Sequence, residues 1–169
     1  MNYSKKWKMW NAMPDFKTCL NCRKNHGKIY KIEEMADPAP PLHPNCRCTI
    51  ERLKVLLAGS ATKFGVFGAD WYIKVYGKLP SYYITSEQAK NEGWNSKKGD
   101  LFIKCPGRMI FGGIYQNRNG HLPTAPNRVW YEADINYEFG FRGTERILFS
   151  NDGLMFVTYD HYHTFIEVE

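Results

Sequence analysis

The sequence predicts an α+β fold for its longer, second part, with N-terminal helices packed on an antiparallel β-sheet. A small cysteine-rich, zinc-stapled segment precedes it. Three observations carry this reading. Helical patterns occupy residues 66–93, strand-and-turn text fills the chain from Leu101 onward, and four of the five cysteines fall within residues 19–48. The chain of 169 residues is long enough to bury one ordinary core or two small ones. Its 43% hydrophobic and 15% aromatic content argues against global disorder.

The first segment, residues 1–52, shows no repeat and little clean periodicity. Residues 36–44 hold Pro38, Pro40, Pro41 and Pro44, which forbid a helix interior. So short and proline-broken a segment needs a staple or a partner. Cys19-Leu20-Asn21-Cys22 and Cys46-Arg47-Cys48 supply the staple, because two close pairs of soft ligands separated by a loop assemble a tetrahedral zinc site. Cys19, Cys22, Cys46 and Cys48 are the expected ligands, with His43 and His26 as substitutes. Disulfides crossing between the pairs and reduced, unliganded thiols are the alternatives.

Residues 53–65 turn small and apolar and read as a linker leading into the second domain, residues 66–169. Phe67, Trp71 and Val75 recur at helical spacing, and Gly77 and Pro80 end that helix. Thr85-Ser86-Glu87-Gln88 fits a capping box and Gly93 a stop, giving a second helix of about two turns. Helices are then expected to cease. Residues 129–137, 146–150 with 154–159, and 162–168 read as strands, and Asn151-Asp152-Gly153 as a hairpin turn.

Charge divides with the cysteines. The net +6 lies in residues 1–55, with 11 Lys+Arg against 5 Asp+Glu, while residues 56–169 hold 12 against 12. The second domain must therefore attract a polyanion by placement of charge rather than by bulk field. No apolar run is long enough for a membrane-spanning helix, and the first residues lack a secretory signal pattern.

Along residues 129–137, alternation turns Tyr131, Ala133 and Ile135 one way and Trp130, Glu132 and Asp134 the other. Two carboxylates then stand about 7 Å apart on one face. That face reads first as solvated, with Asp134 supporting the strand and the arginines that follow. Arg142, Arg146 and His161 come within thirty residues of Glu132. One group to take a proton, one to return it and two guanidiniums to hold charge are the inventory of metal-free phosphoryl transfer.

Residues from about 69 to 169 closely resemble the barnase-type microbial ribonucleases. The match includes Lys78-Leu79-Pro80, Tyr83-Ile84-Thr85, Gly93-Trp94 and Asn117-Arg118. It tightens through Glu132-Ala133-Asp134-Ile135-Asn136-Tyr137, Gly140-Phe141-Arg142, Arg146-Ile147-Leu148 and Asp160-His161-Tyr162. The resemblance implies a metal-independent endoribonuclease that cleaves single-stranded RNA to a 2′,3′-cyclic phosphate, needing no catalytic cofactor. It makes Glu132 the general base, His161 the general acid and Arg142 and Arg146 the phosphate clamp. Tyr115, Gln116, Asn117, Arg118, Asn119 and Tyr162 are the substrate-binding residues it implies. Ser86 stands where the family has a lysine and Asn119 where it has a glutamate, so strict guanine preference is not expected to carry over.

Residues 1–52, with Trp10, Asp15, Cys19, Cys22, His26-Gly27 and Pro40-Pro41-Leu42-His43-Pro44-Asn45-Cys46-Arg47-Cys48, resemble the C-terminal part of phage Mu-F-like minor head proteins. In that family the region occurs in capsid proteins and ahead of toxin domains. Together the two resemblances imply a polymorphic toxin fragment with RNA as substrate and a cognate inhibitor or immunity protein, barstar-like in type. They also imply export or phage delivery within a larger toxin that acts in the target cell's cytoplasm. The rival readings are an inactive capsid-associated RNA-binding or structural module, and a zinc-dependent nuclease with its chemistry at the cysteines.

Overall fold

The computed structural model describes residues 2–169. In chain order the elements are β1 (Asn2–Asn11), α1 (Leu20–Asn25), β2 (Ile29–Lys31), β3 (Thr49–Leu56), α2 (Ala69–Tyr76), β4 (Tyr83–Thr85), α3 (Ser86–Asn91), α4 (Leu101–Lys104), β5 (Met109–Tyr115), β6 (Trp130–Asp134), β7 (Arg146–Ser150), β8 (Met155–Thr158) and β9 (Ile166–Val168). The fold is α+β, with few short helices and one nine-stranded sheet in the order β2-β1-β3-β9-β8-β7-β6-β5-β4. Among the described residues no helix is long and apolar enough to cross a membrane.

Most elements expected in the second part form near their local signals, but α2 starts only at Ala69 and turns Ala69 and Ile73 inward, Phe67 and Val75 are left exposed, and the last strand is confined to Ile166–Val168. α2 ends at Gly77, which takes the left-handed φ of 68° that only glycine adopts without strain. Thr85 caps α3 with the reciprocal box, its hydroxyl accepting from Gln88 N–H while the Gln88 side chain accepts from Thr85 N–H. β5 to β9 form the antiparallel meander, turned at Asn151–Gly153 between β7 and β8. The sheet as a whole is mixed, because β4 runs parallel to β5 and β3 parallel to β9. Helices do not cease at Gly93: Leu101–Lys104 forms one more turn, with Leu101 fully buried. Four residues are too few to show a 3.6-residue period.

The first segment finds its partner in the second. β3 starts before residue 53, crosses into residues 53–56, and pairs Val55 with Glu167 and Leu56 with Val168. β1 and β2 then extend the same sheet. The loop after β3 is tied to α2 by Asp70, a fully buried carboxylate that accepts from Gly59 N–H, Ala61 N–H and the Thr62 hydroxyl.

Each face of the sheet carries a core. On one, Ala133, Ile135, Ile147, Met155, Val157 and Val168 gather with Ala69 and Ile73 of α2. On the other, Trp130, Leu148 and Phe156 of the meander meet Trp7, Met9 and Leu53 of β1 and β3. The face bearing Glu132 is therefore not simply solvated: Trp130 beside it is 4% exposed and Asp134 is 2% exposed. At roughly 25 cal/mol per Å² of apolar area, burial of Trp7, Met9 and Leu53 against the meander contributes to holding the first segment on the sheet.

Candidate active site

Strand register sets the site. β6 pairs Glu132 with Leu148 and Asp134 with Arg146 of β7, and Glu132 with Gly113 of β5. Glu132, Asp134 and Arg146 thus share one sheet face. Gly112 gives the Glu132 side chain its room, because a Cβ there would stand 2.8 Å from Glu132 Cγ and 3.0 Å from Oε1. The other carboxylate oxygen, Oε2, accepts a 2.5 Å hydrogen bond from the Tyr162 hydroxyl. Burial, then this bond to Glu132, pushes the Tyr162 phenol far above its ordinary range, so it remains the donor.

Asp134 holds both arginines. Arg142 donates to it through Nε at 2.6 Å and Nη2 at 2.7 Å, a bidentate fork. Arg146 Nε lies 3.1 Å from the same carboxylate, while its Nη1 donates to the carbonyls of Gly143 and Glu145. Hydrogen bonding to Asp134, reinforced by the field of Asp134 and of Glu132, raises the Arg142 pKa further. The sequence reading of Asp134 as the support of the arginines matches this geometry.

His161 and Tyr162 lie in the turn between β8 and β9, both with positive φ, 56° and 68°. Such a backbone persists only when its surroundings hold it. Asp160 does so: it accepts from Thr164 N–H at 2.9 Å, the Thr164 hydroxyl at 2.6 Å and the Thr158 hydroxyl at 3.0 Å. Thr158 Oγ1 in turn accepts from Tyr162 N–H. Burial works to raise the Asp160 carboxyl, but these hydrogen bonds carry it below its usual value. Asp160 and Gly112 are positioning residues that the sequence reading did not single out. The Asp-x-x-x-Thr spacing of 160–164 is a local signal for the first, whereas Gly112 shows its purpose only once β5 and β6 pair.

Tyr115 stacks on Tyr162, ring centres 5.4 Å apart. These two line a cleft of about 800 Å³ with Asn119 and His161. Asn117 braces the loop rather than facing outward, since its side-chain amide donates to Leu122 O and accepts from Leu122 N–H. Gln116 and Arg118 stand exposed beside it and do not line the cleft. The arrangement brings a carboxylate, a histidine, two guanidiniums and two tyrosines to one end of one sheet face.

The second candidate site gathers five donors. Cys22 and Cys46 sulfurs lie 3.6 Å apart, and His43 Nε2 lies 3.3 Å from the Cys19 sulfur and 3.4 Å from that of Cys22. Cys19, Cys22 and His43 form one triad and Cys22, Cys46 and Cys48 another. These separations approach the edge of roughly 3.8 Å that a tetrahedron of zinc–sulfur bonds requires. His43 Nδ1 donates to the Pro44 carbonyl at 2.8 Å, which leaves Nε2 as the lone pair facing the sulfurs. His26 is not among them: its Nδ1 accepts from Ala12 N–H. Cys105, the fifth cysteine, is buried beneath α3 and α4.

Residues 70–169 match a family described as ribonuclease, and residues 1–51 match one described as phage Mu protein F like protein. Ribonucleases of Heyndrickxia coagulans, Bacillus intermedius and Bacillus pumilus are each 47% identical over 100 residues, 59% of this chain. The chain spans 91% of the first relative and 61% of each of the other two. A crystal structure of ribonuclease Sa2 with guanosine-2′-cyclophosphate aligns with 69% of this chain and 96% of its own at 22% identity and a TM-score of 0.34.

Proposed function

The chain belongs to the ribonuclease family through residues 70–169, and we propose that it is a metal-independent endoribonuclease acting at the sheet face that bears Glu132. The observation that carries this is the convergence of Glu132, Tyr162, Arg142 and Arg146, linked through Asp134, beside the turn that holds His161. Glu132 removes the proton of a ribose 2′-hydroxyl. The freed oxygen attacks the adjacent phosphorus, the bond to the 5′-oxygen breaks, and His161 protonates that oxygen as it leaves. Arg142 and Arg146 hold the charge that builds on the phosphoryl oxygens. The requirement for a 2′-hydroxyl selects RNA over DNA. Tyr115, Tyr162 and Asn119, which line the cleft, bind the nucleotide, and Asn117 sets the shape of their loop, while Gln116 and Arg118 stand outside the cleft.

The test is cleavage of a labelled mixed-sequence RNA in EDTA. Cyclic-phosphate ends at unchanged rate are expected. Intact RNA at high protein concentration would leave the capsid-associated binding role in its place, and activity lost with the chelator at an unchanged thermal melt would favour the zinc-dependent nuclease.

In this reading residues 1–52 are the accessory, pre-toxin part and residues 66–169 the effector of a toxin delivered by a phage or a bacterium. Such an effector needs an inhibitor for its maker's survival. Its contact surface is expected to be acidic, since it must cover the clamp of Arg142 and Arg146.

The cysteine cluster is assigned a structural zinc, held by Cys19, Cys22, Cys46 and Cys48 with His43 as the competing donor. Cys22 belongs to both triads. One zinc per chain is therefore expected by elemental analysis, retained in Cys105→Ser and lost in Cys22→Ser. Equal zinc in those two variants would remove the assignment.

A further inference from the structure

The cleft beside His161 is not built by the ribonuclease part alone. Arg23 and Lys24 of α1, with His26 and Lys28 after it, form a wall of the same cleft. We infer that Arg23, Lys24 and Lys28 form a subsite for RNA backbone phosphates outside the scissile one, so that the N-terminal segment extends the substrate groove. The inference rests on the ribonuclease reading above and adds a contribution from the accessory segment to it.

Three features of the wall point to a polyanion. First, it is cationic without internal compensation. No carboxylate lines the cleft, and among the described residues Arg23, Lys24 and Lys28 form no ion pair. Elsewhere in the same segment Lys31 pairs with Glu34 and Arg47 with Asp15. Second, the charge is fixed against the site. Gly27 N–H donates to Trp10 O, and Ile29 N–H donates to His121 O at 2.8 Å. Gly27 also sits so close to the His163 carbonyl that a Cβ would come within 2.6 Å of that oxygen, and its φ is +84°. Side chains flanking this contact are held within a few residues of His161 instead of trailing on a linker.

Third, residues 56–169 carry no net charge, so Arg23, Lys24 and Lys28 bring to the cleft a positive charge that the second part supplies only at the clamp of Arg142 and Arg146. Burial lowers the pKa of His26 and of His121, so in the first segment's share of the cleft the two lysines and the arginine are the positive groups. Between the wall and Glu132 lie the stacked rings of Tyr115 and Tyr162, a flat apolar surface on which a base can rest while its flanking phosphates reach Arg23, Lys24 and Lys28.

The test compares a dinucleotide, which has only the scissile phosphate, with a hexanucleotide holding one cleavable ribose among 2′-deoxy residues. The parent is set against Arg23→Gln/Lys24→Gln/Lys28→Gln, changes at exposed or half-buried side chains that leave Gly27 and the cysteines intact. The hexanucleotide-to-dinucleotide ratio of kcat/KM is expected to fall about tenfold in the variant. The salt slope of hexanucleotide binding should shrink by about two, at roughly 0.7 per phosphate lost. Binding of an all-deoxy hexanucleotide, read by fluorescence anisotropy, gives the same comparison without turnover, and a thermal melt confirms folding. An unchanged ratio and unchanged anisotropy overturn the subsite while leaving the ribonuclease standing. The same holds if only an acidic protein inhibitor, and not RNA, binds the variant more weakly. A parent that cuts neither substrate removes the ribonuclease reading and the subsite with it.

Discussion

Glu132→Gln is expected to lower kcat/KM on RNA by about 10²–10⁴-fold, and His161→Ala by a similar factor, because each removes one of the two groups proposed to transfer a proton. Both changes leave the frame intact. Glutamine keeps the length that Gly112 accommodates, and its amide oxygen can still accept from the Tyr162 hydroxyl. His161 is exposed, and the turn that presents it is held by Asp160, Thr158 and Thr164 rather than by the imidazole. Loss of rate should therefore come with an unchanged melt. Single-turnover cleavage of a labelled oligonucleotide gives the numbers. A rate within threefold of the parent in either variant would take that residue out of the mechanism. Opening of an isolated 2′,3′-cyclic phosphate by water should fail in the same variants, since the two groups exchange roles there. The parent should be obtainable in cells only alongside an inhibitor, whereas Glu132→Gln should be tolerated.

The second half of the chain was legible because its elements announce themselves locally. Thr85 and Gln88 form their box within four residues, Gly77 stops α2, and Asn151–Gly153 turns a hairpin whose two strands are adjacent in sequence. The first half was not legible, for a physical reason seen in β1. Trp7 and Met9 enter one core and Trp10 another, while Ser4 is also buried and the pairing with β3 shifts between Tyr3 and Lys8. A strand covered on both faces and interrupted by a bulge has no clean alternation to read. The parallel pairing of β3 with β9 joins residues more than a hundred positions apart, and no local pattern encodes it. The same limit applies to the site. The types at Glu132, Arg142, Arg146 and His161 were visible in the chain, but the hydrogen bond from Tyr162 to Glu132 and the internal use of the Asn117 amide depend on packing. So does the arrival of Arg23 and Lys24 beside His161.

Asp134→Ala is expected to cost about 3–5 kcal/mol of stability, the range for leaving a buried charge without its partner. The Asp134 side chain is 3% exposed and that of Arg146 is 9% exposed, so removing the carboxylate leaves a largely buried guanidinium without its counter-charge. Arg142 is different at 31% exposed, and its loss leaves Asp134 still bonded to Arg146. Arg142→Ala should therefore lower kcat far more than it lowers stability, whereas Asp134→Ala should lower both. Asp134→Asn separates shape from charge: it can still accept one hydrogen bond but cannot neutralise two arginines, so it should stay close to alanine in the cost. Urea titrations of the three variants beside their cleavage rates make the comparison. If Asp134→Ala unfolds at the parent's urea midpoint, the carboxylate is not what holds Arg146 in the sheet, and the hydrogen bonds from Arg146 to the Gly143 and Glu145 carbonyls must suffice to fix the clamp.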